Sequence, residues 1–307
     1  MKLSNLPKMS STFNAYLKKR GFSPSTVTTH RKILGHYLQW LDTEHLETEQ
    51  VRYQDLLSFI RHCSETGKSQ RTIHHYLNTV KHYYDHLAAL GQATHNPTLG
   101  LTVKGIKRKI LYPILAPHEL HQLYHDYPMQ SLQDRRNKAL LGLLAYQGLR
   151  TAELARLTLQ DVHPREGQLT VVGGRTTNGR TLPLSSHQVM DLYDYQHQVR
   201  PALLAMNPKR KHQTRIETNQ LFIGEGGRCY SLHNLLTQVM AKARKLHPGL
   251  KNAQQVRVSV ITQWVKTYNL RKAQYLAGHR NIRTTEGYLH NDMEGLKEEV
   301  NQYHPLG

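Results

Sequence analysis

The chain has 307 residues, enough for two domains of ordinary size, and sets 41 lysines and arginines against 22 acids for a net charge of +19. The basic residues run through the whole length rather than in one tail or one amphipathic helix, which points to a polyanionic partner, duplex DNA ahead of a membrane surface. No apolar run approaches a membrane span, MKLSNLPKMSSTF lacks the apolar stretch of a secretory signal, and the protein is expected in the cytoplasm, without membrane association.

Cys63 and Cys229 fit neither a metal-ligand spacing nor a structural disulfide in a reducing compartment. The 21 histidines are scattered, with no HExxH, so no metal site is expected.

Residues 1–94 read as a helical, DNA-binding domain. STFNAYLKKRG predicts a first helix ending at Gly21. SPSTVTTHRKILGHYLQWL predicts a second, with Ser23 as N-cap, Pro24 at the first helical position, and Val27, Leu34, Tyr37, Leu38 and Leu41 on one face. VRYQDLLSFIRHC is a third. SQRTIHHYLNTVKHYYDHLAALG is a fourth, starting near Ser69, stopped by Gly91, and apolar along Ile73, Leu77, Val80, Tyr84 and Leu87. Its polar faces carry Arg71, His74, His75, Lys81 and His82. Solvation explains such a face as readily as DNA contact does, and Arg71, His74, His75 and Lys81 are the DNA candidates.

Residues 95–114, rich in proline, glycine and the run KGIKRK, read as an inter-domain linker. Lys104, Lys107, Arg108 and Lys109 are placed to follow a phosphate backbone, or simply to be solvated.

The second domain, 115–307, reads as mostly α with one small sheet. PHELHQLYHDY and RRNKALLGLLAYQGLR are helices, and ALLGLLAY is apolar nearly all round, hence buried. TAELARL follows a turn, with Thr151 as expected N-cap. GQLTVVGG and GRTLPLS have strand composition, with a turn expected at Thr177-Asn178-Gly179. Helices are then expected at His187–Val199, Leu232–Leu246, Val256–Tyr268 and Leu270–Ala277. A C-terminal tail from about residue 291 carries Met293, Leu296 and Val300 as a short apolar stripe.

Four segments carry groups suited to one chemistry. YQGLRTAELARL holds Arg150 and Glu153; the hairpin holds Arg175 and Arg180, the latter expected to contact DNA; QQVRV holds Arg257; GHRNIRTTEGYLH holds His279 and, nine residues on, Tyr288. A phosphodiester under attack gains negative charge on its non-bridging oxygens. Planar arginine forks match those oxygens with paired hydrogen bonds, a histidine adds another, and no metal is then required. A tyrosine can attack phosphorus and keep the phosphodiester energy in a covalent bond, so rejoining needs no nucleotide cofactor. Taken bluntly, Gly278 could merely end a helix, Tyr288 pack in a core, and Glu153 be a first-turn helix acid.

The order GLRxxEL, hairpin ending RTLPL, arginine opening a helix, then GH and a tyrosine nine residues later resembles the tyrosine recombinase/integrase family along nearly the whole chain. The resemblance implies a helical core-binding domain followed by a mostly α catalytic domain with a small β-sheet. Arg150 and Arg257 would bind the scissile phosphate, with Glu153 orienting Arg150 or its helix. His279 would hydrogen-bond a non-bridging oxygen, and Tyr288 would attack to give a 3′-phosphotyrosine. It further implies inverted-repeat sites on double-stranded DNA, a homotetramer passing through a Holliday junction, with a second recombinase sharing the work in some systems, and neither cofactor nor small-molecule substrate.

Three positions depart from the family pattern. Arg175 stands where the hairpin usually has a lysine that protonates the leaving oxygen, and arginine is a poor proton donor. Gln254 replaces a histidine or lysine, and Val258 a supporting histidine. A type IB topoisomerase with the same chemistry, and a catalytically silent DNA-binding relative, are the alternatives.

Overall fold

The computed structural model describes residues 6–93, 95–105, 112–206, 219–227 and 232–289, with side chains from residue 11 onward. Lys107, Arg108 and Lys109, and the tail from 291, lie outside the described residues. The chain forms two compact units, residues 1–108 and 109–307. Among the described residues, no helix is long and apolar enough to cross a membrane.

The first unit is built from α1 (Leu6–Lys19), α2 (Pro24–Thr43), α3 (Tyr53–Glu65) and α4 (Gln70–Ala89). Ser23 and Ser69 cap α2 and α4, each accepting from a backbone N–H three residues on, at 3.2 and 3.3 Å. Gly21 and Gly91 take positive φ just past α1 and α4. All the apolar stripe residues expected on α2 and α4 are buried. They enclose an aromatic core in which Tyr37 and Tyr84 share a 3.0 Å hydroxyl contact and Tyr84 donates to the Thr48 carbonyl. The start of the expected linker is anchored to this unit. Asn96 donates to Asp85 at 2.8 Å, and Leu101 and Val103 pack on its core.

The second unit centres on α6 (Leu132–Ala145), whose residues from Ala139 to Ala145 are all buried. Against it pack α5 (Pro117–His125), α8 (Ser186–Asp194), α9 (Arg200–Ala205), α10 (Leu232–Leu246) and α11 (Ala253–Thr267). The expected 187–199 helix continues from α8 through one wide π-turn at Tyr195–Val199 into α9. The sheet has three antiparallel strands, β1 (Val162–His163), β2 (Gln168–Val171) and β3 (Arg180–Pro183), in that order. Leu169 pairs with Leu182, and both are buried. The turn lies earlier than expected, at Arg175–Thr176, closed by Gly174 and Thr177, whose backbones exchange hydrogen bonds of 2.9 and 3.3 Å. Thr177 itself is taken up in pairing with His279. Gly173 and Gly179 let the two arms close, since a Cβ at Gly173 would stand 2.7 Å from the Gly179 nitrogen.

Three short helices remain: α7 (Thr151–Leu154), α12 (Leu270–Ala277) and α13 (Ile282–Glu286).

Candidate active site

Arg150, not Thr151, is the N-cap of α7. Its backbone is extended, and its N–H is taken by the Glu153 carboxylate at 2.9 Å, so the cap is made by the acid reaching back. The Arg150 Nε is buried and has no hydrogen-bond partner among the described residues. A buried guanidinium nitrogen left open is a site waiting for an acceptor.

Arg180 sits away from the surface. It was assigned to DNA, yet it is 4 % exposed and its fork grips Glu153 through both terminal nitrogens, at 2.9 and 3.0 Å. Its Nε donates to the Leu276 carbonyl at 2.8 Å. Each of its three nitrogens thus donates to a partner inside the fold. Strand alternation carried the signal: Arg180 and Leu182 lie two apart on β3, both buried, while Thr181 and Pro183 are exposed.

Arg257 enters from α11, 3 % exposed. One terminal nitrogen donates to the Gly148 carbonyl and stands 4.0 Å from Glu153. The other donates to the Ala277 carbonyl at 2.9 Å and contacts His279 Nε2 at 3.4 Å. Burial first, then the nearby Arg150 charge, pushes the Arg257 guanidinium down to about 10, against the opposing pull of Glu153 and Tyr288. It stays charged at neutral pH but is short of counter-charge. Burial alone would raise the Glu153 carboxyl; the Arg180 fork, the Arg150 N–H and the Arg257 charge together outweigh it and hold the group below its ordinary value.

His279 follows Gly278, which ends α12 with φ 66° and ψ 32°. The imidazole is 2 % exposed, and its Nδ1 lies 2.9 Å from the Thr285 hydroxyl. The two ring nitrogens thus face different partners, Nε2 toward Arg257 and Nδ1 toward Thr285. Tyr288 lies parallel to this ring, 5.9 Å between centroids at 20°, and is 7 % exposed. Its ring shares an apolar cluster with Val258, Ile261, Val265, Ala273 and Ala277. Both simple readings of this stretch therefore hold: Gly278 ends a helix and Tyr288 packs in a core. The same packing brings Tyr288 to His279.

The remaining assigned residues are placed differently. Arg175 is exposed at the hairpin turn, and its backbone carbonyl accepts from Arg280 Nη1 at 2.7 Å. Gln254 is exposed on the first turn of α11, three residues before Arg257. Arg71, His75 and Lys81 are exposed on α4; His74 is half-buried with Asn78 at 3.0 Å; Lys104 is exposed. Thr285 and Arg280 were not singled out from the sequence, nor was Arg156, whose guanidinium lies 3.0 Å from where a Cβ at Gly174 would stand. Periodicity does not mark any of them, since each acts through a loop. Among the described residues, no group of three or more His, Cys, Asp or Glu could hold a metal ion.

Two family models match this chain: the phage integrase family over residues 113–295, and the phage integrase N-terminal SAM-like domain over residues 11–91. Among curated relatives, tyrosine recombinase XerD of Oceanobacillus iheyensis is 26 % identical over 294 residues, covering 94 % of each chain. Tyrosine recombinase XerC of Pseudomonas syringae pv. syringae is 27 % identical over 295 residues, covering 94 % of this chain and 92 % of the relative. Among solved structures, the Tn1549 transposon integrase in complex with transposon right end DNA has a TM-score of 0.65 at 17 % identity, covering 96 % of this chain and 99 % of that one. A lambda integrase tetramer bound to a Holliday junction has a TM-score of 0.66 at 13 % identity, covering 92 % and 76 %. The chain belongs to the phage integrase family. It is a tyrosine recombinase, an enzyme of site-specific DNA recombination.

Proposed function

We propose that Arg150 and Arg257 bind the scissile phosphate of a duplex, that His279 adds a hydrogen bond to a non-bridging oxygen, and that Tyr288 is the nucleophile. The phenol oxygen bonds to phosphorus, the bond from phosphorus to the 5′-oxygen breaks, and a 3′-phosphotyrosine and a free 5′-hydroxyl result. The observation that carries this is the setting of Arg257. It is buried, under-compensated, in contact with His279, and within electrostatic reach of both Arg150 and Tyr288. An entering phosphate would supply the missing negative charge and an acceptor for the open Arg150 Nε.

Gln254, exposed where α11 begins, would add a hydrogen bond to the same backbone. Arg175 would stabilise the leaving oxygen by charge rather than by giving up a proton. Arg71, His74, His75, Lys81 and Lys104, together with Lys107, Arg108 and Lys109, would contact phosphates of the flanking duplex. Their sum would make binding weaken steeply with salt. Four protomers on inverted-repeat sites would exchange strands through a Holliday junction, in integration, excision, inversion or resolution. The chain's fold likeness to a lambda integrase tetramer bound to such a junction supports that arrangement.

A duplex carrying a nick beside the cleavage site tests the assignment. The parent should accumulate a covalent protein–DNA complex, and Tyr288→Phe none. Trapping that persists in Tyr288→Phe would remove Tyr288 from the role, and no trapping by the parent would favour a silent DNA-binding protein. Exchange between two sites, against relaxation of any supercoiled plasmid, separates a recombinase from a type IB topoisomerase.

A further inference from the structure

A buried ion pair is stable only when its hydrogen-bonding positions are used in full. The Arg180–Glu153 pair comes close to that condition, with a partner for every nitrogen of the guanidinium. The two side chains are 0 % and 1 % exposed, and both guanidinium terminal nitrogens and both carboxylate oxygens are engaged. Its partners come from distant parts of the chain. Glu153 belongs to α7 and also takes the Arg150 N–H. Arg180 belongs to β3 and also holds the Leu276 carbonyl at the end of α12. Arg257, from α11, stands 4.0 Å from the same carboxylate. One buried acid thus receives two arginine side chains and the backbone N–H of a third arginine. The GH motif conforms to this too: a Cβ at Gly278 would fall within contact distance of the Arg180 guanidinium, so that glycine makes room for Arg180 as well as supplying positive φ.

We propose that Arg180 is a positioning residue for strand cleavage: from the returning strand of the hairpin it fixes the Glu153 carboxylate and the end of α12, and so sets where Arg150 and Arg257 meet the phosphate. The hairpin is in this way part of the cleavage machinery through its base as well as its tip. The proposal rests on the reading of Arg150 and Arg257 as the phosphate binders. Arg180 itself touches no DNA in it.

Single-turnover formation of the covalent complex on the nicked duplex, followed against pH in the full-length protein, tests the proposal. The charged groups facing Glu153 are Arg180 from β3 and Arg257 from α11, and from its own helix it receives the Arg150 backbone N–H. The other helix packed on α7 is α10, whose buried residues are apolar. Without Arg180, the buried acid would lose its main counter-charge and ionise only at higher pH. Arg180→Gln should cleave about 10- to 100-fold more slowly at neutral pH, the usual cost of losing a supporting partner of a site. It should recover partly as pH rises, with DNA affinity unchanged, and Arg180→Lys should fall between it and the parent. Parent-like cleavage by Arg180→Gln, or a loss by the same factor at every pH, would overturn the proposal.

Should Arg180→Gln not fold, the pair Glu153→Leu with Arg180→Met keeps the volume without the charges, a replacement that folds well in other buried pairs. It should fold and bind DNA yet cleave slowly, and parent-like cleavage by it would again overturn the proposal. Arg257→Ala separates the two readings. If Arg257→Ala is inactive and Arg180→Gln normal, only the positioning role fails; if Arg257→Ala cleaves normally, the phosphate site itself is misassigned.

Discussion

Arg257 and Val258 are consecutive on α11 and enter opposite surroundings. Arg257 reaches Glu153, His279 and two backbone carbonyls, all polar and nearly dry. Val258 enters the apolar cluster that holds the Tyr288 ring. Ions are costly to bury and have to be matched donor by donor, so the arginine side is rigid before any substrate arrives. The tyrosine side is held by dispersion and by ring contact with His279. Packing of this kind suits a side chain proposed to move toward phosphorus. The proposed phosphate cradle is thus built by electrostatics, and the proposed nucleophile is seated by packing.

The sharpest way to break this comparison is to remove a charge from the first neighbourhood. Arg257→Ala or Arg150→Ala should lower the rate of covalent-complex formation by at least about 100-fold, the scale of losing one oxyanion donor, while DNA binding persists. A gel-shift titration beside a single-turnover assay checks both halves. Either variant cleaving at the parent rate would mean that the phosphate sits elsewhere.

The second neighbourhood should respond the other way round. Ile261 is 0 % exposed beside Tyr288, and Ile261→Ala should cost about 2–5 kcal/mol of stability, the range for emptying a packed core site. Its cleavage loss at a permissive temperature should be smaller than that of Arg257→Ala. Denaturant unfolding and the trapping assay, run on both variants, would show the crossover. If both variants lose stability and rate together, the division between cradle and seat is wrong.

A milder probe is pH. The Glu153 carboxyl is held below its ordinary value, so it contributes stability that is fully present above the unfolded carboxylate value of about 4.3. That contribution is lost as pH falls through the lower folded value. Glu153→Gln should therefore flatten the acid limb of the unfolding midpoint against pH and leave alkaline behaviour unchanged. An unchanged acid limb would mean that the Arg180 fork does not hold the carboxylate ionised.

Much of this was legible from pattern. The stripes of α2 and α4 are set by helical spacing alone, and their burial follows residue for residue. Arg150, Arg257, His279 and Tyr288 stand out because their order is rare, although they come together from the ends of separate short elements. The burial of Arg180 is harder to read, because an arginine beside a glycine-rich turn looks solvent-bound. Its neighbour Leu182 already showed which face of β3 turns inward. The hairpin turn was misplaced for a different reason: Asn178-Gly179 has turn chemistry, but the pairing of Thr177 with His279 and the Asn178 N–H donating to the Gly278 carbonyl draw that segment onto the neighbouring loop. A contact between a loop and the short helix after it leaves no period to read, and Thr285 against His279 is of that kind.

The smallest expected effect concerns the hairpin turn, where the comparison can be sharpened. Arg175 offers a charge where a lysine would offer a charge and a proton, since a lysine titrates near 10.4 and an arginine above about 12. Its link to the rest of the fold is made by its backbone carbonyl, which receives Arg280, so a change of side chain leaves that docking intact. Arg175→Lys should thus keep DNA affinity and keep or modestly raise the cleavage rate, with any gain largest on substrates whose leaving oxygen is poorest. A collapse in rate would show that the planar fork at this position makes a paired contact that an ammonium cannot copy. The hairpin turn would then belong with the rigid cradle rather than with the parts that adjust around the departing strand.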